Sequence, residues 1–130
     1  MRNSLIRKIF ILLAVLFIAF TFMTSCGVAG SGSIDVKSLN PIPKGFTKVQ
    51  LSHTFEYQIG SATDYKVRVR ADDNLFDYLL VEKNGDTLSL GLEPGQSYHN
   101  ISLETDIKMP ALEQLSLSGA CKGHIGEFKD

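Results

Sequence analysis

Residues that could carry metal or acid–base chemistry are scattered along this chain rather than grouped. His53, His99 and His124 lack the spacing that zinc ligands share. The Asp-Asp-Asn segment 72–74 offers oxygen donors but lacks the alternating acids and closing glutamate of an EF-hand. Because Asp and Asn bond readily to nearby backbone amides, we expect this segment to form a turn that caps the residues after it. We predict no metal site and no cofactor.

Two further arrangements could support catalysis. Cys121 would need an activating base to act as a nucleophile, and His124 is the nearest candidate. A small, mostly buried thiol is the favoured interpretation. Four carboxylates could meet across strands as a glycosidase-like pair, although solvated faces are the default for this many acids. These are Glu56, Asp72, Glu82 and Glu104. The sequence has no nucleophile elbow, phosphate loop or dinucleotide fingerprint, so we predict that the protein is not an enzyme.

Tyrosines give the one positive indication of ligand binding. A tyrosine presents a flat apolar body and a polar tip, which suits sugar rings and protein partners. The four are Tyr57, Tyr65, Tyr78 and Tyr98. We expect most of them to seal the edges of the core and some to line a surface for a glycan or protein ligand.

The first 26 residues have the layout of an export leader. Arg2, Arg7 and Lys8 precede an apolar run over residues 9–22, and small residues then lead to Cys26. This layout resembles a lipoprotein signal peptide. The resemblance implies that residues 1–25 are removed, that Cys26 carries a diacylglycerol and a fatty acyl chain such as palmitate, and that the protein is a membrane-anchored lipoprotein of the bacterial cell envelope, on the periplasmic face or at the outer membrane.

Two other interpretations of the leader stay open. It could be an ordinary secretory signal in which Cys26 is incidental. It could also be an uncleaved transmembrane helix, although about 20 apolar residues are needed to cross a bilayer and the run here is shorter. After Cys26 the residues up to Ser33 are small and uncharged, so we predict a flexible tether over residues 26–33.

The charge of the chain argues against nucleic acid as a partner. The chain has 13 Lys and Arg residues and 14 Asp and Glu residues. Removal of Arg2, Arg7 and Lys8 with the leader leaves 10 basic and 14 acidic residues, a formal charge of −4. Phosphate contacts from a concentrated basic face dominate nucleic acid affinity, and this chain offers no such face.

Beyond the tether the sequence has the two-residue period of β-strands. Apolar and polar side chains alternate over residues 101–109, 55–59 and 65–70, the pattern of strands with one buried and one solvated face. Asn84-Gly85 separates two such runs, and both residues tolerate the positive φ of a type I′ hairpin turn. Pro110 is expected to end the strand before it. These features predict an all-β fold.

An internal sequence repeat, termed here the echo, indicates how the strands are arranged. Residues 46–52 and 112–118 share the order apolar, two polar, apolar, polar, apolar, serine. Such self-similarity suggests stacked β coils, in which each short strand buries its apolar residues against neighbouring coils. We therefore predict a β-solenoid or β-helix-like stack of short strands with hairpins, with an antiparallel β-sandwich as the alternative.

The order of the motifs also resembles a known family. It includes residues 45–52, 55–59 and 71–75, the hairpin ending at Leu88, and the run 109–120. Together they resemble the auto-transporter adhesin head GIN domain family, also called DUF2807, from about Gly30 onward. The resemblance implies an all-β, solenoid-like envelope lipoprotein of the Bacteroidetes type. It favours a non-enzymatic adhesion or binding module, with a polysaccharide-binding or polysaccharide-processing protein as the alternative.

Three departures from the family pattern have structural consequences. His53 stands where the family commonly has glycine, so the tight turn there is expected to be adjusted. Cys121 replaces a small polar residue. The family's Ser-Gly-Ala run normally leads into further coils, whereas this chain ends at Asp130, so residues 34–130 are expected to be the N-terminal portion of a longer domain. An unpaired last coil would favour edge-to-edge self-association.

Overall fold

The computed structural model describes residues 27–128, together with Ser4 and Lys8. Among these residues no helix is long and apolar enough to cross a membrane. Within residues 27–128, one 3-10 helix, Asp73–Tyr78, interrupts an otherwise all-β fold. The strands are β1 Gly27–Ala29, β2 Ile34–Ser38, β3 Lys48–Leu51, β4 Glu56–Ser61, β5 Lys66–Asp72, β6 Leu79–Asn84, β7 Thr87–Leu92, β8 Ser97–His99, β9 Leu103–Met109, β10 Gln114–Leu117 and β11 Lys122–Ile125. The all-β prediction is confirmed.

Two larger sheets face each other across one hydrophobic core. The four-stranded sheet has the order β10-β3-β7-β6, and the five-stranded sheet has the order β11-β4-β9-β5-β2. Buried side chains of both sheets form one cluster, for example Leu51 and Leu90 from the first and Ile59, Val69 and Ile107 from the second. The facing sheets fit the sandwich alternative, but the strands are not all antiparallel, since β10, β3 and β7 pair in parallel, as do β11, β4 and β9.

The two echo segments lie side by side at a constant register. On β10 and β3, Leu115 pairs with Val49 and Leu117 with Leu51, and on β11 and β4, Ile125 pairs with Ile59. Every one of these pairs is separated by 66 residues, as is the hydrogen bond from Thr47 Oγ1 to Glu113 Oε2. The sequence repeat therefore corresponds to the neighbouring strands β3 and β10, and the same offset continues in β4 and β11 of the other sheet.

Alternation along the strands decides which side chains are buried. On β5, Val67 and Val69 are 1% and 0% exposed whereas Arg68 and Arg70 point to solvent. On β9, Ile107 is fully buried and β9 ends at Met109, immediately before Pro110. Both observations confirm the strand assignments made from the two-residue period.

The hairpin turn between β6 and β7 is shifted by one residue from its predicted position. Asn84 pairs with Thr87, so Gly85 and Asp86 are the two central residues. Only Gly85 has a positive φ, of 59°. A positive φ at the first central residue alone is the requirement of a type II′ turn, which puts glycine at that position, so the type I′ prediction is wrong.

The segment after Cys26 belongs to the fold, which differs from the predicted flexible tether. β1 pairs in parallel with β8, so that Gly27 lies opposite Ser97 and Ala29 opposite His99. The backbone amide of Gly30 then donates to the carbonyl oxygen of His99 at 3.4 Å. Composition alone misses this arrangement because the partner strand lies about 70 residues away.

Residues 72–74, termed here the clamp, hold the rest of that segment. Asp72 Oδ1 accepts a hydrogen bond from the amide of Gly32 at 2.9 Å, and Asp72 Oδ2 accepts one from the amide of Ser102 at 2.7 Å. Asn74 accepts from the amide of Ser31 and donates to the carbonyl of Ala29. Asp72 makes no capping bond to the 3-10 helix after it, so the predicted cap is wrong. Its buried carboxylate binds distant amides instead.

Candidate functional site

A groove of about 560 Å³ opens on the face of the five-stranded sheet that points away from the core. Its walls are side chains that share this face of β11, β4, β9, β5 and β2, and intervening residues complete the lining. In register order, one row across the sheet is Lys122, Glu56, Glu104, Arg70 and Val36, and the next is His124, Gln58, Asp106 and Arg68. Thr105, Tyr57 and Gly123 lie between these rows along their strands. The groove therefore carries charges of both signs.

The β5–β9 half of the groove is internally paired. The guanidinium group of Arg70 lies 3.2 Å from Glu104 Oε2, and that of Arg68 lies 3.4 Å from Asp106 Oδ2. Asp106 Oδ1 is shielded from solvent and has no hydrogen-bond partner within the described chain, although Lys108 Nζ approaches to 3.9 Å. Partly exposed ion pairs of this kind add little stability, so they chiefly fix the positions of the side chains.

The β4–β11 half of the groove holds polar side chains whose bonding capacity is unused. Within residues 27–128, the side chains of Glu56, Gln58, Lys122 and His124 are exposed and make no hydrogen bond or ion pair. They bring acceptors, donors and both charge signs into one half of the groove. Sequence reasoning missed Gln58 and Lys122, because only the register between β4 and β11 brings these strands together. On β4 the alternation of Gln58 with the buried Ile59 was the available signal.

Of the four carboxylates considered for a catalytic pair, two come together. Glu56 lies directly beside Glu104 on neighbouring parallel strands, which are spaced about 4.8 Å apart. Asp72 is 2% exposed and bound within the clamp, and Glu82 lies on β6 in the other sheet. Glu104 is paired with Arg70, so Glu56 is the free acid of the two.

The four tyrosines do not form one ligand surface. Tyr65 packs against Phe46 with ring centroids 4.9 Å apart and donates to its carbonyl oxygen at 3.4 Å. Tyr78 and Tyr98 make an edge-on contact at 5.9 Å, away from the groove. Tyr57 borders the groove, but it shares a strand face with buried Ile59 and packs against the core. The expected role in sealing the core edge fits all four.

Burial raises the pKa of the Tyr98 phenol, and the nearby carboxylate of Glu93 and the Tyr78 phenol raise it further. The hydroxyl of Tyr98 donates a hydrogen bond of 2.6 Å to the Glu93 carbonyl oxygen. An ionised Tyr98 has no proton to donate in this hydrogen bond, so the folded state favours the neutral phenol.

The remaining candidate residues have structural surroundings. Cys121 is half-buried, and its Sγ lies 3.5 Å from the carbonyl oxygen of His53. Within the described residues no three His, Cys, Asp or Glu side chains are grouped in a way that could hold a metal ion. Cys26, the predicted lipidation site, lies outside the described residues.

The paired sheets define an all-β protein with an open polar groove on one sheet. A family model described as "Putative auto-transporter adhesin, head GIN domain" matches residues 45–127. The chain belongs to this family, DUF2807, and the family prediction is confirmed. Among curated proteins no match was found.

Solved structures from Parabacteroides and Bacteroides species share the fold. A "putative adhesin" from Parabacteroides merdae is 14% identical with a TM-score of 0.66, and the match covers 78% of this chain and 42% of that one. A "putative adhesin" from Bacteroides fragilis is 20% identical with a TM-score of 0.68, covering 76% and 46%. A "putative lipid binding protein" from Parabacteroides distasonis is 19% identical with a TM-score of 0.67, covering 75% and 43%. The chain thus spans less than half the length of these proteins.

Proposed function

We propose that this protein is a lipid-anchored envelope protein that acts as a non-enzymatic adhesion or binding module through the groove. The observation that carries the proposal is the set of unpaired polar side chains on β4 and β11, which faces solvent beside a rigidly paired half. Membership of the adhesin head family and the adhesin names of the solved relatives support the same class of function. The family also favours a location in the cell envelope.

The chemistry of the groove favours an uncharged, polyhydroxylated ligand such as a glycan, or a polar protein surface. Its ion pairs offset each other, so neither polyanions nor polycations are selected by charge. Free acceptors and donors at Glu56, Gln58 and Lys122 suit hydroxyl groups, which both donate and accept.

Binding to defined arrays tests this proposal. The purified protein is applied to arrayed neutral and acidic oligosaccharides and to immobilised fibronectin and collagen. A variant with Glu56→Ala, Gln58→Ala and Lys122→Ala should lose at least about tenfold in affinity for whatever the native protein retains, corresponding to about 1.4 kcal/mol. The control variant with Gln50→Ala, Glu82→Ala and Lys83→Ala removes the same three residue types from exposed positions of the other sheet. Equal loss in both variants, or no retention of any probe, contradicts the proposal.

A membrane anchor on Cys26 is the second part of the proposal. The leader layout supports it, because two or more acyl chains hold a protein stably on a bilayer. Cells that express the chain are labelled with a radioactive fatty acid. The native protein should take up label and remain with membranes, and Cys26→Ala should do neither. Label on both proteins, or on neither, contradicts the anchor.

A solenoid-like stack is the third part, and it concerns the architecture. The constant 66-residue register in both sheets supports it, because β10 and β11 repeat the positions of β3 and β4. β10 and β11 are also edge strands, with Leu117 and Ile125 exposed by 43% and 41%. Edge-to-edge pairing between two copies would cover them. Sedimentation of the protein should show a concentration-dependent dimer, which Leu117→Lys with Ile125→Lys should abolish.

A polysaccharide-processing role is the runner-up, and one observation favours it. Glu56 and Glu104 lie side by side on the neighbouring strands β4 and β9. Retaining glycosidases hold two carboxyl groups about 5–5.5 Å apart. The pairing of Glu104 with Arg70 argues for binding instead. Mass spectrometry of oligosaccharides incubated with the protein should show no cleavage. Cleavage that Glu56→Gln abolishes would establish the runner-up.

A further inference from the structure

Residues 27–33, which composition predicts to be part of a flexible tether, take part in the fold. Almost no chain therefore separates Cys26 from the folded domain. β1 begins at Gly27, the residue after Cys26. Five backbone groups of residues 29–33 are bonded to β8 or to the clamp. They are the amide of Gly30 with His99, the amide of Ser31 and the carbonyl of Ala29 with Asn74, the amide of Gly32 with Asp72, and the carbonyl of Ser33 with Asp73.

The surface at this point also differs from the rest of the molecule in charge. Residues 27–34 and 94–102, termed here the uncharged patch, contain no Asp, Glu, Lys or Arg, whereas 21% of the whole chain is charged. β1 and β8 bring these two segments together. Most of the patch is exposed to solvent, including Ser97 and His99.

We propose that the uncharged patch rests directly on the surface of a lipid bilayer when Cys26 is acylated. This inference rests on the lipid anchor of the proposed function. An acyl chain on Cys26 cannot enter the bilayer without bringing β1, and with it β8, to the headgroup layer. Bacterial membranes carry anionic lipids, which repel a mature protein of charge −4. The patch itself carries no ionised side chain, and the exposed carboxylate of Asp73 in the clamp, which accepts a hydrogen bond from the Ser31 hydroxyl, lies at its border.

The contact with the bilayer limits where the groove can act. Arg70 in the groove precedes Asp72 of the clamp by two residues on β5, a distance of about 7 Å along the strand. The groove therefore lies near the headgroup layer and meets ligands that are close to the membrane surface. A long flexible tether would instead let the domain reach far from the bilayer.

Fluorescence quenching by lipids tests the orientation. Full-length acylated protein is reconstituted into vesicles of phosphatidylethanolamine and phosphatidylglycerol that contain a headgroup-labelled nitroxide lipid. In a Cys121→Ser background, a bimane label is attached through Ser97→Cys in the patch or, as a control, Lys83→Cys. Lys83 lies on β6, next to the hairpin turn into β7. The length of β7 separates this turn from the patch by roughly 20 Å. Both positions are exposed, so neither label disturbs the core.

The label at position 97 should be quenched several-fold more than the label at position 83. Insertion of ten Gly and Ser residues between Cys26 and Gly27, a linker spanning about 17 Å on average, should remove most of this difference. Equal quenching of the two labels on vesicle-bound protein of native length overturns the orientation alone. Protein that stays in solution overturns the lipid anchor and the orientation with it.

Discussion

His53 and Gly119 occupy the same position in two neighbouring turns, 66 residues apart, and both have positive φ, of 68° and 91°. Each lies between a strand of the four-stranded sheet and its successor in the five-stranded sheet. The expectation that His53 would alter this turn is wrong, since histidine adopts the left-handed conformation itself. Its Nδ1 accepts a hydrogen bond from the amide of Leu92 at 3.3 Å and lies 3.1 Å from the hydroxyl oxygen of Ser52, and these contacts offset the strain.

Gly119→Ala is predicted to destabilise the protein by about 3 kcal/mol or more, because it combines backbone strain with a clash. A Cβ at position 119 would lie 2.3 Å from the carbonyl oxygen of His53. Gly95→Ala introduces the backbone strain without the clash, because Gly95 has a φ of 85° and open space around it. It should cost about 1–2 kcal/mol. Urea denaturation measures both, and equal losses would show that the contact with His53 is unimportant.

Asp72→Ala is predicted to cost on the order of 3 kcal/mol, because it leaves the amides of Gly32 and Ser102 without their charged acceptor. Hydrogen exchange should then rise at residues 27–33, since the clamp no longer holds them. Asp64→Ala removes an exposed aspartate that has no bonding partner in the described chain and should change neither quantity. Unchanged exchange at residues 27–33 in Asp72→Ala would show that the clamp is dispensable.

Glu56→Gln is predicted to stabilise the fold slightly while weakening ligand binding. Like charges directly opposite each other on neighbouring strands are unfavourable, and the substitution removes one of them without removing an ion pair. The melting temperature should rise by about 1–2 °C. Glu104→Gln relieves the same repulsion but loses the contact with Arg70, so it should not gain stability. A fall in melting temperature for Glu56→Gln would contradict this interpretation.

The raised pKa of Tyr98 predicts a loss of stability in alkali. The folded protein favours the neutral phenol, so the stabilisation is complete below the unfolded-state pKa of about 10 and is lost as the pH rises through the folded-state pKa. The free energy of unfolding, measured by urea titration between pH 8 and about pH 11, should fall more steeply for the native protein than for Tyr98→Phe. An equal pH dependence of the free energy of unfolding in the two proteins would exclude Tyr98 as the cause of the loss of stability.

The sequence predicted those features that depend on neighbours along the chain. Alternation in β5 and β9 identified their buried faces, and the echo identified β3 and β10 as related strands. The groove was missed because its residues come from five strands whose register no local pattern contains. The clamp was missed for the same reason, since Asp72 binds amides 30 and 40 residues away. The chemistry of tyrosine alone cannot distinguish a ring that seals the edge of the core from one that lines a ligand surface.

Adhesion of vesicles tests the central claim most directly. Vesicles that carry the acylated full-length protein are passed over surfaces coated with the array oligosaccharides, fibronectin or collagen. Vesicles with the native protein, or with the Gln50, Glu82 and Lys83 control variant, should be retained on at least one surface, and vesicles with the Glu56, Gln58 and Lys122 variant should be washed away. Equal retention of all three would show that adhesion, if present, does not use the groove, and would contradict the account.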